Sequence, residues 1–148
     1  MRQIKFRAWS PALEKMFLPV KGCNLLIRID GEVFTDIDIV ENVGISLTTG
    51  MTLMQFTGLK DKNEKEIYEG DVVKLLDDGI WQPACYEGGK CEDKITFATV
   101  GFEAGEYILE HRNEEGTSDD TTGLADFNEL STIEIIGNIY ENPKLLIH

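Results

Sequence analysis

Apolar and polar residues alternate with a period of two over short stretches of this chain, and glycine, proline, asparagine or aspartate cuts one stretch from the next. Successive side chains of a strand point to opposite faces, so the pattern predicts short strands joined by turns. Ile4, Phe6 and Ala8 alternate with Lys5, Arg7 and Trp9, which predicts a half-buried first strand. Ser10-Pro11 ends it, because proline cannot donate to a ladder. Residues 25–29 and Val33-Phe34 flank Asp30-Gly31, the clearest local hairpin signal, since that dipeptide supplies the positive φ values of a two-residue turn. Over residues 35–50, Ile37, Ile39, Val43, Ile45 and Leu47 alternate loosely and Gly44 and Gly50 interrupt, which predicts short extended pieces.

The middle of the chain is punctuated more sharply. An apolar block at residues 53–59 runs into a polar turn at 60–66, where Asp61 and Asn63 are turn formers, and then into Ile67-Tyr68. Glu69-Gly70-Asp71 makes a second turn before a strand over 72–76, whose β-branched start favours extension. Residues 77–94, with Pro83 and Gly88-Gly89, read as an extended loop. Strands resume at 95–100 and 106–109, with Gly101 and Gly105 around the connection. Residues 113–122 are acidic and polar and read as a mobile loop. Leu124, Phe127 and Leu130, with Ala125 beside them, have helical spacing, which predicts one short helix over 124–130 capped by Thr121 or Thr122. The last strand is expected over 133–140, ended by Asn142-Pro143, with Leu145-Leu146-Ile147 as a packed tail.

Composition narrows the class. At 148 residues and 42 % hydrophobic content the chain is sized for a single domain over 1–148 with one core. It has no run of roughly 18 to 20 apolar residues, the length that crosses a bilayer, and its charged start is no secretion segment. Three cysteines, Cys23, Cys85 and Cys91, are an odd number and too few for a disulfide scaffold. These features predict a soluble protein of the cytoplasm. Cys85 and Cys91 are spaced to close a small loop, but a reducing compartment favours free thiols.

The net charge of −13 is spread unevenly. Residues 1–28 carry six basic side chains (Arg2, Lys5, Arg7, Lys15, Lys21 and Arg28) against Glu14, and the remaining 120 residues carry 8 basic and 26 acidic ones. A net charge of this sign opposes direct nucleic-acid binding, which draws its affinity from Lys and Arg displacing counterions. Arg2, Lys5, Arg7 and Arg28 are the candidates for a local basic patch. Residues 103–129, with nine acids against Arg112, are the place where phosphate mimicry toward a DNA-binding protein would reside.

Catalytic and metal signatures are thin. The two histidines are His111 and His148, and the chain has no Cys-x-x-Cys pair, no His-Glu-x-x-His and no nucleophile elbow. Cys23, Cys85, Cys91 and His111 have the wrong spacing for a zinc knuckle, and Gly88-Gly89-Lys90 lacks the glycines and the following Ser or Thr of a P-loop. Glu110, Glu114, Glu115, Asp119 and Asp120 read as a solvated loop, since sequence alone does not pick an acid and base pair out of 27 carboxylates. The expectation is therefore no enzyme, no catalytic, cofactor-binding or metal residue, and no cofactor. Trp9, Phe56, Tyr68 and Trp81 are candidates for contact area in a protein-interaction module, possible self-association included; for Phe56 and Tyr68 burial in the core is favoured.

Three blocks resemble the YopX family of bacteriophage and prophage proteins. They are Ile4-Lys5-Phe6-Arg7-Ala8-Trp9, the long block from Leu53 through Thr57-Gly58-Leu59-Lys60-Asp61-Lys62-Asn63 and Ile67-Tyr68-Glu69-Gly70-Asp71 to Lys74, and Ile135-Ile136-Gly137-Asn138-Ile139-Tyr140-Glu141-Asn142-Pro143. The chain departs from the family pattern at Ser10-Pro11, where an acidic or polar residue is usual, and at Glu64, where glycine is usual, which predicts a wider or shifted turn. The resemblance implies a mainly β (β-rich α+β) fold with a small, partly open SH3-like barrel in the central region, and the strands near either end are expected to complete the sheet. It brings no catalytic or binding residues to carry over. A non-catalytic accessory role in a phage or prophage, through an unknown protein partner, is the function it implies, with an acidic DNA mimic as the alternative.

Overall fold

The protein, as a computed structural model, is described over residues 3–18, 25–27, 33–35, 50–77, 94–112, 118–124 and 133–146. It divides into two compact units, Met1–Gly58 and Leu59–His148. The first holds β1 (Phe6–Ser10), β2 (Lys15–Phe17), β3 (Leu25–Ile27), β4 (Val33–Thr35) and most of β5 (Thr52–Lys60). The second holds the end of β5, then β6 (Glu66–Tyr68), β7 (Asp71–Asp77), β8 (Lys94–Glu103), β9 (Glu106–Arg112), β10 (Ser118–Gly123) and β11 (Ile133–Asn138), and a 3₁₀ turn at Pro143–Leu146. The strand-rich class and most strand positions match the periodicity.

In the first unit β1 lies between β2 and β5, antiparallel to both, with Ala8 opposite Phe17 on one side and Leu53 on the other. Pro11 ends β1 as expected, and Leu13 N–H donates to Ser10 Oγ at 3.4 Å across the turn. The alternation does not play out as half-buried, however. Arg7 and Trp9 are buried along with Ala8, whereas Ile4 is 66 % exposed ahead of the strand. β1 is an interior strand covered on both faces, the arginine included. β3 pairs antiparallel with β4, Leu26 opposite Phe34, as a hairpin requires; residues 28–32, on which the expected Asp30-Gly31 turn falls, and 36–49 lie outside the described residues.

In the second unit five antiparallel strands run in the order β10-β9-β8-β7-β11 and curl into a half-barrel. Ile67, Val73, Leu75, Ala98, Val100, Leu109, Leu124 and Ile133 form its buried core, with Leu59, Tyr107 and Ile135 packed against it. Each fully buried aliphatic side chain of this kind contributes ~1.5–3 kcal/mol. The opposite face buries Val72, Thr99 and Ile108 as well, which is why both Val72 and Val73 of β7 are apolar.

Two expectations at the C-terminal side are corrected. Ser118–Gly123, expected as part of a mobile loop, is strand β10, paired with β9 so that Thr122 faces Leu109. A polar strand at a sheet edge carries no apolar alternation, so periodicity could not reveal it. Thr121 and Thr122 therefore sit in a strand and cap no helix. Leu124 is buried just after β10, its N–H donating to the Tyr107 carbonyl at 2.8 Å; residues 125–130 of the predicted helix lie outside the described residues.

The β5–β6 connection is a tight turn, in which Glu64 N–H donates to the Asp61 carbonyl at 3.0 Å and Asp61 N–H to the Lys65 carbonyl at 2.8 Å. Glu64 takes the left-handed conformation itself, at φ 63°. Ala104 does the same at φ 52° in the two-residue β8–β9 turn, where Gly105 has φ 92° and the pair makes a type I′ geometry that prefers Asn-Gly. A side chain in this region is strained by ~1 kcal/mol. Glu64→Gly and Ala104→Asn are each expected to raise the unfolding midpoint by roughly 2–4 °C, read by thermal circular dichroism. The exposed Lys60–Glu64 ion pair, 3.0 Å, lost in the first variant adds too little to reverse the sign. An unchanged or lower midpoint in both would show that these turns are not strained.

Candidate functional site

The residues singled out for contact or chemistry distribute unevenly. Trp9, Phe56 and Tyr68 are buried, so their aromatic area goes to the interior; Trp81 lies outside the described residues. Arg7 is buried too and leaves the proposed basic patch, whose Arg2 and Arg28 lie outside the described residues. Lys5 sits half-buried with Nζ 5.4 Å from the Phe56 ring centre, a cation–π contact. His111 is half-buried on β9, Nε2 3.0 Å from Thr122 Oγ1 on β10. Among the described residues no three His, Cys, Asp or Glu side chains gather as a metal site; Cys23, Cys85, Cys91 and His148 are outside them.

The central and C-terminal blocks build a connected set of buried polar groups within the second unit. Asp61 is only 3 % exposed. Its Oδ1 accepts the N–H groups of Asn63 at 2.8 Å and Lys65 at 2.9 Å, and its Oδ2 accepts that of Ile135 on β11 at 3.1 Å. Beside it Lys62 N–H donates to the Ile133 carbonyl at 2.9 Å, so one side chain and one backbone group stand in for a neighbouring strand along the outer edge of β11. Lys62 Nζ adds an ion pair to Glu134 at 2.7 Å. Burial pushes the Asp61 carboxyl up more than any other single influence, yet the three N–H donors and the Lys65 charge together hold it below the usual carboxylate range. The hydrogen bond from Lys62 leads the influences that lower Glu134.

The next turn is built the same way. Gly70 takes φ 76°, a value glycine adopts without strain, and Asp71, fully buried, accepts Tyr68 N–H at 2.8 Å. Gly70 N–H then donates to the Val100 carbonyl at 2.8 Å and its carbonyl accepts Ile139 N–H at 2.9 Å, joining this turn to β8 and to the exit of β11. There Asn138, buried, accepts the N–H groups of Tyr140 at 3.0 Å and Glu141 at 2.9 Å through Oδ1 and donates to the Glu141 carboxylate. A carboxylate or amide held in this way fixes backbone geometry.

What sequence reasoning passed over is the tip of the β8–β9 hairpin. Phe102 is 56 % exposed, and its ring meets that of Tyr107 edge to face with centres 5.1 Å apart. Glu103 and Glu106, both exposed, stand directly opposite each other in register. The two-residue spacing of Ala104-Gly105 between residues of alternating polarity was the available signal.

Comparison with known proteins agrees with this architecture. Protein yopX from Bacillus subtilis is similar over 98 % of both chains at 24 % identity, with a TM-score of 0.61. Protein EF1440 from Enterococcus faecalis is similar over 99 % of both chains at 23 % identity, with a TM-score of 0.59. At these identities the likeness speaks for fold. The curated proteins give no match. The family model described as YopX protein matches residues 5–147, nearly the whole sequence and all the turns and clamps described above, and the chain belongs to that family.

Proposed function

We propose that this YopX-family chain is a non-catalytic accessory protein of a phage or prophage, acting in the cytoplasm of the bacterial host through contacts with other proteins. The observation that supports it most is the commitment of Asp61, Asp71 and Asn138, buried polar side chains of the family blocks, to backbone N–H groups. Groups so engaged position turns and strand edges, and what is left to meet a partner is surface, of which the aromatic and acidic β8–β9 tip is the most distinctive described part.

The test is affinity capture with the full chain from bacterial lysate, against an unrelated acidic protein of equal net charge. Enrichment of a small defined set of proteins is the expected result. An empty capture at low salt, or a turnover abolished by replacing one side chain, would overturn the reading. A second reading, imitation of the phosphate charge pattern toward a DNA-binding protein, draws on the exposure of Glu103 and Glu106. Captured proteins that duplex DNA displaces would select it.

A further inference from the structure

We propose that the β8–β9 hairpin tip inserts Phe102 into an apolar socket on a partner protein whose rim carries lysine or arginine. The proposal rests on the protein-contact reading above and narrows it to one surface and one partner chemistry.

Along β8 every second residue, Ala98, Val100 and Phe102, falls on the core face of the sheet. The first two are 1 % exposed and the third is 56 % exposed, so the apolar stripe runs out past the end of the core. The ring in water is not loose. Its cross-strand partner Tyr107 packs against the core cluster, the two rings meet at 61°, and the two-residue turn leaves no slack in the chain. An aromatic anchor already held in place loses little conformational freedom on docking, which is the usual character of an interface hot spot.

The surrounding charge identifies the occupant. Between Val100 and Glu110 the chain carries Glu103, Glu106 and Glu110 and no lysine or arginine; all three stand on the face of the hairpin opposite Phe102, so a socket that closes round the tip meets the ring on one wall and carboxylates on the other. Like charges directly opposite on paired strands oppose hairpin formation, and Glu103 faces Glu106. Ala104 at φ 52° opposes it again. Local choices that work against the fold mark positions kept for another purpose. A neutral or acidic socket would strip water from these carboxylates without compensation, whereas a basic rim both steers the encounter and pairs them.

Site-specific photo-crosslinking tests it. The full chain carrying p-benzoylphenylalanine at position 102 is irradiated in bacterial lysate, and the same label at position 4, where Ile4 is 66 % exposed, is the control for general stickiness. The expected result is a discrete adduct from position 102 absent from position 4, on a partner peptide containing lysine or arginine. Its yield should fall about tenfold when Glu103→Gln and Glu106→Gln are combined, or in high salt, as expected of a charge-steered contact. Both Gln variants keep the shape of the tip, and a thermal midpoint no lower than that of the wild type verifies the fold, since removing the like-charge pair relieves repulsion. Equal labelling from positions 102 and 4, or an adduct indifferent to both charge and salt, overturns the proposal. Partners captured by the wild-type chain without any adduct from position 102 sink this proposal alone. No captured partner at all sinks the protein-contact reading with it.

Discussion

Replacing Asp61 with alanine is expected to lower the unfolding free energy by about 2–4 kcal/mol, the cost of removing a buried carboxylate that accepts three backbone N–H groups. The two oxygens do separate work, and Asp61→Asn divides them. An amide oxygen in the Oδ1 position keeps the bonds to Asn63 and Lys65 and hence the turn. The NH2 in the Oδ2 position meets the Ile135 N–H, donor against donor, and releases the edge of β11. The asparagine variant should therefore retain the β5–β6 turn while losing hydrogen-exchange protection at Ile135. The pH dependence follows from the sign of the shift. The carboxyl is held below its ordinary value in the folded chain, so between the folded and unfolded values the unfolded chain binds more protons, and stability rises with pH there. The contribution is complete above about 4, the ordinary value of an aspartate, and is lost as pH falls through the folded value. The midpoint difference between wild type and Asp61→Asn should stay constant from neutral pH down to about 5 and shrink below about 4. A difference that does not change in acid would mean that the charge on Asp61 contributes nothing to closure.

The distinction between the turn and the closure also separates what could be read from the sequence from what could not. The turns were legible because their chemistry is local. Asp61 and Asn63, and Gly70 and Asp71, act within a few residues of themselves and turn the chain where expected, whereas β11 ends at Asn138, ahead of the expected end at residue 140 before Asn142-Pro143. Strands β7, β8, β9 and β11 were legible because one face is continuously apolar. The bond from Ile135 to Asp61 spans 74 residues and has no local signature. Edge strand β10 was hidden because a strand of polar residues reads as loop, and the burial of Arg7 because a charge in an alternating pattern is taken as outward. Phe102 failed in the opposite direction, an apolar residue at an inward register position that the sheet end leaves in water. In each of these cases the fold topology, and not the residue's neighbours in sequence, decides the environment.

Gly137 carries the second large effect. β11 is irregular between Ile135 and Gly137, where two steps on that strand oppose one on β7, Ile135 facing Val73 and Gly137 facing Val72. This brings the backbone of Gly137 under the following turn: a Cβ there would lie 2.5 Å from Asn142 Oδ1 and 2.7 Å from Leu145 Cδ1. Asn142 has little freedom to retreat, since its side chain accepts Asn138 N–H at 3.3 Å, its own N–H donates to the Asn138 carbonyl at 3.0 Å, and its carbonyl accepts Leu145 N–H at 2.9 Å. Gly137→Ala is therefore expected to cost about 1–3 kcal/mol through overpacking, although alanine suits a strand better than glycine does. Urea denaturation measures it, with Ile4→Ala as an exposed control expected to stay within about 0.5 kcal/mol of wild type. If the clash is the cause, adding Leu145→Ala to Gly137→Ala should cost less than Leu145→Ala alone in the wild-type chain, a coupling of about 0.5–3 kcal/mol. Strict additivity of the two would mean that the turn yields freely, and that Gly137 is not required by the close approach of the C-terminal segment.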